Sequence, residues 1–279
     1  MPTVALTIHI PDALQEFLIA ELADLDFETF EQHDRFMVAY IPATRWNDVA
    51  REGVERWMAR HGLTTPITEE VIADQNWNRK WEETVRPVVV EPFLIRPTWH
   101  ETPPEHADLI LLEIDPKMSF GTGYHESTRL LLRLLPDFVN SGCFVLDAGT
   151  GTGILAVAAI KLGASSAIAF DVDPWSQDNA VENFYLNGVA DRVEMRSGAI
   201  ESVDENEFDV ILANINYNVI AGLLPNFAEK LAEDGSLLVS GILSRDRDRL
   251  LKAAEQRGLG LRSEREENEW WSGVFTLSE

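Results

Sequence analysis

The first part of the chain alternates between apolar and polar positions with two different periods. Residues 3–10 alternate at every second position, as a half-buried strand does. From Pro11 to about residue 25, leucines recur at helical spacing, which predicts an amphipathic helix. Residues 27–41 alternate as one or two strands, and residues 45–60 return to the helical period. These patterns predict a small α+β domain over residues 1–65.

The stretch from residue 66 to residue 104 has no clear period and is rich in tryptophan and proline. Trp77, Trp81 and Trp99 are more typical of packing between domains than of a ligand cage. We therefore expect a linker over residues 66–104, with a helix followed by irregular strands.

From residue 105 onward, short apolar runs alternate with amphipathic segments. The expected strands are 109–114, 143–147, 167–171, 192–196, 208–213, 236–240 and 269–277, and the expected helices are 126–139, 153–162, 174–187, 218–233 and 245–257. This order predicts an α/β domain over residues 105–279, with a doubly wound, mostly parallel sheet and helices on both faces. Such a sheet binds ligands at the carboxyl ends of its strands, near the point where the strand order reverses.

Charge restricts the partners. The 47 Asp and Glu residues against 23 Lys and Arg residues give a formal net charge of −24. A chain this acidic has no overall attraction for nucleic-acid phosphates or anionic lipid, but it suits a basic partner. Solubility alone, or adaptation of a lysine-poor surface to high salt, remains an alternative explanation of the charge.

Further classes are excluded by what the sequence lacks. Its one cysteine, Cys143, allows no internal disulfide and no multi-cysteine zinc site, and we expect no bound metal. The first residues do not resemble a signal peptide, and no apolar run is long enough to span a membrane. We therefore expect a cytoplasmic protein with no membrane partner.

The strongest chemical signal is a turn in which Gly149, Gly151 and Gly153 occupy every second position between a strand and a helix. Glycine allows positive φ and close approach of a ligand to the backbone, and the helix start offers free N–H groups to a carboxylate. The dinucleotide fingerprint G-x-G-x-x-G and the Walker phosphate loop both differ from this spacing. Asp147 would repel a pyrophosphate but suits a cationic amino-acid group, so the turn favours S-adenosylmethionine over NAD.

A carboxylate also follows the next strand. Asp171 lies 22 residues after Gly149 and can accept hydrogen bonds from both hydroxyls of a ribose diol. Aspartates at strand ends also cap helices, which is the alternative role of Asp171. After the third strand, the segment 197–200 falls where adenine would dock.

The fourth strand ends at Asn214, which is followed by Ile215, Asn216 and Tyr217. The Asn214 carbonyl, together with a backbone carbonyl, could hold an amine by its N–H groups and aim the nitrogen lone pair at a methyl donor. Such a role is catalysis by positioning. A cap on the following helix is the alternative role of Asn214. Tyr217 could shield the site or simply pack.

Upstream, residues 118–128 form a polar, glycine-containing loop that could fold over a ligand. The segment lacks the G-x-S-x-G elbow of serine hydrolases. It also lacks the second histidine of an H-E-x-x-H zinc site, because Arg129 stands at that position.

Together these segments resemble the ribosomal protein L11 methyltransferase family over nearly the whole chain. The motifs that carry the resemblance are Phe120-Gly121-Thr122-Gly123-x-His125, Asp147-x-Gly149-x-Gly151-x-Gly153, Asp171-x-Asp173-Pro174 and Ala213-Asn214-Ile215. The resemblance implies a class I, Rossmann-like methyltransferase domain preceded by a small N-terminal domain that recognises L11. It implies methyl transfer from S-adenosylmethionine to lysine side chains and the N-terminal amine of L11. Because of the net charge, we expect no direct nucleic-acid binding.

By position, the resemblance also implies the site residues. Asn214 would be the catalytic residue nearest the amine and would contact the cofactor as well. The other expected cofactor-binding residues are Phe120, Gly121, Thr122, Gly123, Thr128, Asp147, Gly149, Gly151 and Asp171. No residue is identified as a dedicated base, although His125 is a candidate.

Three other functions stay open. The chain could methylate lysines of another protein, or it could be a cofactor-binding module without activity, which the intact loop residues oppose. It could also be a nucleic-acid N-methyltransferase, because residues 214–217 loosely resemble an N-P-P-Y turn. The net charge and the missing prolines oppose this last possibility.

Overall fold

The computed structural model describes residues 2–23, 25–72, 85–117 and 119–278. The chain divides into two compact units, Met1–Lys80 and Trp81–Glu279. This division differs from the expected linker over 66–104, because strands within that range belong to the sheets of both units. Trp77 and Trp81, which we expected to pack between domains, lie outside the described residues.

The first unit has two helices on one face of an antiparallel sheet. Its elements are β1 (Thr3–His9), α1 (Asp12–Ala23), β2 (Thr29–His33), β3 (Phe36–Pro42), α2 (Asp48–Arg60) and β4 (Thr68–Ile72). The sheet order is β2-β3-β1-β4. Alternate residues of β1 and β3, such as Leu6 and its partner Ala39, are buried in one cluster with Leu18 and Leu22 of α1 and Trp57 of α2. The period-two pattern of the strands thus produces the one-sided core.

The second unit has two sheets and five helices among the described residues. Its strands are β5 (Val88–Val90), β6 (Phe93–Arg96), β7 (Ile110–Glu113), β8 (Phe144–Ala148), β9 (Ser166–Asp171), β10 (Val193–Ser197), β11 (Phe208–Asn214), β12 (Leu231–Leu243), β13 (Leu259–Glu267) and β14 (Trp270–Leu277). Its α-helices are α3 (Glu126–Phe138), α4 (Ile154–Leu162), α5 (Pro174–Leu186), α6 (Tyr217–Lys230) and α7 (Arg247–Glu255), and three short 3-10 helices also occur.

The larger sheet has the order β10-β9-β8-β11-β12-β14-β13. The first five strands of this order are parallel, and β14 and β13 close the edge in antiparallel pairs. Val145 on β8 lies in one apolar layer with α3, α4 and α5, whereas Leu146 lies in the opposite layer with α6 and α7. The predicted doubly wound, mostly parallel α/β sheet is therefore confirmed.

Asparagines on α5 and at its C-cap attach the smaller sheet, β5-β6-β7, to this helix. Asn183 and Asn187 accept from the backbone N–H groups of Asp115 and Glu113, each at 3.0 Å. Asn187 and Asn179 donate to the carbonyls of Glu113 and Asp115 at 2.7 and 2.8 Å. Residues four apart share a helix face, and an amide offers both a donor and an acceptor. This row of asparagines therefore pairs with the chain around β7 much as a neighbouring strand would.

We expect the substitution Asn183→Ala to destabilise the second unit. Asn183 is fully buried, and it also donates to the Thr152 carbonyl at 2.8 Å. Its loss would leave buried backbone groups without partners, at about 1–3 kcal/mol each. Calorimetry of the full chain should show a Tm lower by roughly 4–10 °C. The exposed Asn140 provides a control, because Asn140→Ala removes the same amide from a solvated position. Equal Tm values for the two variants would contradict this account.

Among the described helices, the longest has 14 residues, and none combines the length and hydrophobicity that a membrane crossing requires.

Candidate functional site

The site lies where the strand order of the larger sheet reverses. Strands β8 and β11 are parallel neighbours, with Ala148 paired to Ala213, so their carboxyl ends lie side by side. The helix after β8 packs on one face of the sheet, and the helix after β11 packs on the other. The two connections diverge from the sheet edge, which creates a crevice at this point.

The glycine turn after β8 has no space for side chains. Gly149, Gly151 and Gly153 all have positive φ, between 58° and 81°. A Cβ atom on Gly149 would lie 2.5 Å from a methyl group of Ile215, the residue after Asn214. The turns after β8 and β11 are therefore in direct contact.

Asp147 is a fully buried carboxylate below this turn. Its Oδ2 accepts from the Thr150 hydroxyl at 2.6 Å and from the Ala156 N–H at 3.1 Å. Its Oδ1 is buried with no hydrogen-bond partner among the described residues. Burial, assisted by the negative charge of Asp171, raises the pKa of Asp147 to about 6, against the lowering effect of the two hydrogen bonds.

Asp171, at the end of β9, joins two backbone segments of the site. Its Oδ2 accepts from the Gly151 N–H at 2.9 Å, and its Oδ1 accepts from the Asp173 N–H at 3.0 Å. The alternative role as a helix cap is filled by Asp173, whose side chain accepts from Trp175 at the start of α5. The segment expected to receive adenine begins beside Asp171, because the Gly198 N–H donates to the Asp171 carbonyl at 3.0 Å.

The loop before α3 lies on the glycine turn through Thr152. The Thr152 N–H donates to the Phe120 carbonyl at 2.9 Å, and its hydroxyl donates to the Gly121 carbonyl at 2.7 Å. A Cβ on Gly151 would lie 2.3 Å from the same Phe120 oxygen. We call residues 119–123 the covering segment. The sequence motif offered no indication that Thr152 holds it.

The other end of the covering segment is also closely packed. Gly123 has φ of +83°, and a Cβ there would lie 2.9 Å from the Ile95 side chain. The Thr122 hydroxyl accepts from the Tyr124 N–H at 3.3 Å. Strand β6, which carries Ile95, thus supports the loop from below.

Asn214 projects from the end of β11 with its amide fixed on one side. Its Nδ2 donates to the Thr128 hydroxyl at 3.1 Å, whereas its Oδ1 is buried and has no partner in the described part of the chain. The alternative role as a helix cap is filled by Asn216, whose side chain accepts from Val219. An unpaired buried acceptor is costly, so it indicates a place where a ligand N–H group would be bound.

A cavity of about 230 Å³ opens in front of Asn214, and we call it the acceptor pocket. Its walls include Phe120, His125, Ile215 and Trp270. The His125 ring lies edge-on to Phe120 and to Trp270, with ring centroids 5.1 and 4.5 Å away. The pocket is therefore narrow, aromatic and mostly apolar.

Trp270 was not among the predicted site residues. It lies at the start of β14, more than 50 residues after Asn214 in the sequence, and the pairing of β14 with β12 brings it to the site. In the sequence it is one of two adjacent tryptophans in a final strand, which indicates only packing.

Ion pairs hold the β13–β14 turn beside α3. Glu267 lies 2.5 Å from guanidinium nitrogens of both Arg129 and Arg133, and hydrogen bonds from Arg129 are the main reason why its pKa is lowered. Asn268 donates to Glu126 at 3.0 Å. These contacts join the start of α3, which His125 caps through the Ser127 N–H, to the strand that carries Trp270.

The structure thus brings the predicted residues to one edge of the sheet. Hydrogen bonds of 2.6 to 2.9 Å join the glycine turn to Asp147, to Asp171 and to the covering segment. A separate hydrogen bond of 3.1 Å joins Asn214 to Thr128. The side chain of Phe120 remains half exposed at the mouth of the pocket.

Comparison with known proteins identifies the family. The sequence model described as Ribosomal protein L11 methyltransferase (PrmA) matches residues 5–277. This chain belongs to the ribosomal protein L11 methyltransferase family. The resemblance noted in the sequence is therefore confirmed. The chain is accordingly assigned as a class I protein methyltransferase that depends on S-adenosylmethionine.

Individual relatives agree over most of their length. A ribosomal protein L11 methyltransferase of Porphyromonas gingivalis is 39% identical over 278 residues, which cover 96% of this chain and 94% of that protein. One from Chlorobaculum parvum is 36% identical over 277 residues, covering 98% of this chain and 96% of that protein. A crystal structure of a ribosomal protein L11 methylase from Lactobacillus delbrueckii subsp. bulgaricus has a TM-score of 0.66 and 28% identity, covering 70% of this chain and all of that one.

Proposed function

We propose that this protein transfers methyl groups from S-adenosylmethionine to lysine and N-terminal amino groups of ribosomal protein L11. Beyond family membership, the observation that carries the proposal is the Asn214 amide. Its nitrogen is held by Thr128, its oxygen is buried without a partner in the described part of the chain, and the residue lines the acceptor pocket. An acceptor fixed in this way suits the N–H group of an incoming amine.

The residues of the crevice fit S-adenosylmethionine. The unpaired oxygen of Asp147 supplies negative charge beneath a turn that would receive a cationic amino-acid group. Asp171 holds the turn at Gly151 and can also accept from ribose hydroxyls. Gly149 lets the turn lie against Ile215, where a Cβ would not fit. The bound cofactor would supply a methyl group activated by its sulfonium charge.

The acceptor pocket would favour the neutral amine that methyl transfer requires. A lysine amine has a reference pKa of about 10.4, and burial among apolar groups lowers that value by disfavouring the charged form. Phe120, Ile215 and Trp270 supply such surroundings. Asn214 would orient the amine through its oxygen, because a positioned nucleophile reacts faster than a free one.

His125 remains a candidate to take up the proton. Its Nδ1 accepts from the Ser127 N–H at 3.2 Å, so the neutral ring carries its proton on Nε2. The ring could therefore take up a further proton only at Nδ1, in exchange for that hydrogen bond. No other base is proposed.

The net charge supports a basic substrate. A ribosomal protein that binds RNA exposes basic surface when it is free, and a net charge of −24 would attract it. Recognition of L11 by the N-terminal unit and a cytoplasmic location are parts of the same proposal.

The proposal can be tested with S-adenosylmethionine labelled on its methyl group. We expect label in purified L11, located by mass spectrometry at lysines and the N-terminus, and none in L11 whose amines have been acetylated. Whole-cell protein and ribosomal RNA should be offered in parallel. Label in another protein or in RNA, with none in L11, would overturn the substrate assignment.

The ionisation of Asp147 should make cofactor affinity depend on pH. Between pH 3.8 and about 6, Asp147 is mostly protonated in the folded, unliganded protein and mostly ionised in the unfolded chain. The free energy of unfolding that this group contributes therefore falls as pH rises through that range. A cationic cofactor favours the ionised carboxylate. The Kd for S-adenosylmethionine should therefore fall about tenfold between pH 5 and pH 7, as the ionised fraction rises.

The matched variant is Asp147→Asn, which keeps the shape of the side chain and removes the titration. Calorimetric titration at the two pH values should show weaker binding by this variant, with little dependence on pH. A wild-type Kd that stays constant from pH 5 to pH 7 would rule out this role for Asp147.

A further inference from the structure

A second, wider cavity continues outward from the acceptor pocket. Its volume is about 670 Å³, and it shares Asn216, Gly241 and Trp270 with the acceptor pocket. We call it the outer groove. A chain segment whose amine enters the acceptor pocket must leave through the adjoining surface, and the outer groove is continuous with that path.

The outer groove carries a local excess of positive charge. Its charged lining residues are Arg245, Asp246 and Arg249. Arg249 lies 3.0 Å from an oxygen of Asp246, and Arg245 lies 3.9 Å from the other oxygen. One carboxylate thus faces two guanidinium groups, in a chain whose net charge is −24.

Both arginines present N–H groups to the groove. The Arg245 side chain is 80% exposed, and that of Arg249 is 66% exposed. The Arg249 guanidinium lies over the Tyr217 ring, 4.6 Å from its centroid. Stacking on an aromatic face restricts the guanidinium plane and leaves its edge available, and such an edge binds a carboxylate through paired hydrogen bonds.

We infer that the outer groove binds the polypeptide next to the methylated amine, and that Arg245 and Arg249 select a carboxylate side chain in this segment. The inference rests on the proposed function, because it assigns substrate selectivity to the same site. The overall negative charge of the chain would attract a basic protein, whereas this groove would bind an acidic side chain beside the target amine.

A protein carboxylate fits the groove better than nucleic-acid phosphate. Binding to a phosphate backbone depends on neutralising several phosphates, and the affinity grows with their number. The groove has two arginines, one of whose charges is offset by Asp246, and the net charge of the chain opposes a polyanion. A single carboxylate matches the one charge that remains.

The test compares three fluorescent peptides that share a central lysine and differ in the residues on either side of it, which are glutamates, glutamines or lysines. Binding to the full chain is measured by anisotropy near physiological ionic strength, where the Debye length is about 8 Å and local charges dominate. We expect the glutamate peptide to bind about tenfold more tightly than the glutamine peptide, a difference of about 1.4 kcal/mol.

Substitutions of the two arginines test whether they cause the preference for the glutamate peptide. The double substitution Arg245→Gln/Arg249→Gln should abolish the difference between glutamate and glutamine peptides, and Arg245→Glu/Arg249→Glu should transfer the preference to the lysine peptide. Arg257→Gln, which removes one exposed positive charge elsewhere in the same unit, should leave the preference intact.

Equal affinities for the three peptides, or variants that weaken all of them alike, would overturn the inference. So would variants that weaken binding of a ribosomal RNA fragment without changing the peptide preference. The L11 labelling assay separates the two proposals. L11 methylation without peptide selectivity contradicts only the groove assignment, and selectivity without L11 methylation contradicts only the L11 assignment.

Discussion

We expect the substitution Asn214→Ala to lower kcat about 100-fold at saturating S-adenosylmethionine, because loss of a positioning contact costs on the order of 10² in rate. The variant loses the amide oxygen that would orient the amine, while the cavity and its aromatic walls remain. The Kd for the cofactor should rise less than tenfold, since Asp147, Asp171 and the glycine turn are unchanged. Single-turnover kinetics with L11 and titration of the cofactor separate the two effects.

A second variant tests whether the orientation of the amide matters. Thr128→Val removes the hydroxyl that accepts from Asn214 Nδ2 but keeps the volume of the side chain. We expect kcat to fall by about tenfold, a smaller loss than in Asn214→Ala, because the oxygen is present but less well aimed. Turnover by Asn214→Ala at the wild-type rate would remove Asn214 from the reaction.

Asn214 could be predicted from the sequence because its signal is local. Parallel strands carry the residues at their carboxyl ends to one edge of the sheet, so the strand positions alone predict that Asp147, Asp171 and Asn214 converge. The rival capping roles of Asp171 and Asn214 were harder to exclude. They are filled by Asp173 and Asn216, each two residues further along, a distinction that depends on backbone geometry rather than composition.

Features that depend on distant pairing could not be predicted. Strand β13 has a polar, charged sequence because it is an edge strand with one neighbour and mostly exposed side chains, so its pattern does not predict a strand. Trp270 enters the site only through the pairing of β14 with β12. Thr152 holds the covering segment through contacts with residues 31 and 32 positions earlier in the chain, which no short motif records.

The substitution Gly151→Ala should raise the Kd for S-adenosylmethionine by at least 100-fold, or about 2.7 kcal/mol. Two separate penalties act at this position, of which backbone strain lowers stability and displacement of the covering segment lowers cofactor affinity. Alanine at φ of +58° costs roughly 1–2 kcal/mol of backbone strain. Its Cβ would also lie 2.3 Å from the Phe120 carbonyl oxygen, so the covering segment must move away from the turn. That movement breaks the hydrogen bonds from Thr152 and opens the crevice where the cofactor would be held.

The substitution Gly188→Ala is a control that adds backbone strain without displacing a neighbouring segment. It has a similar φ of +65°, but a Cβ there would meet no described atom within 4 Å. Gly188→Ala should therefore lower the Tm through strain alone and keep the wild-type Kd, whereas Gly151→Ala should change both. If the two variants lose stability equally and both bind S-adenosylmethionine like the wild type, then the covering segment does not depend on Gly151. A loss of affinity confined to Gly151→Ala would instead show that contact between this segment and the glycine turn, rather than backbone strain, maintains the binding site.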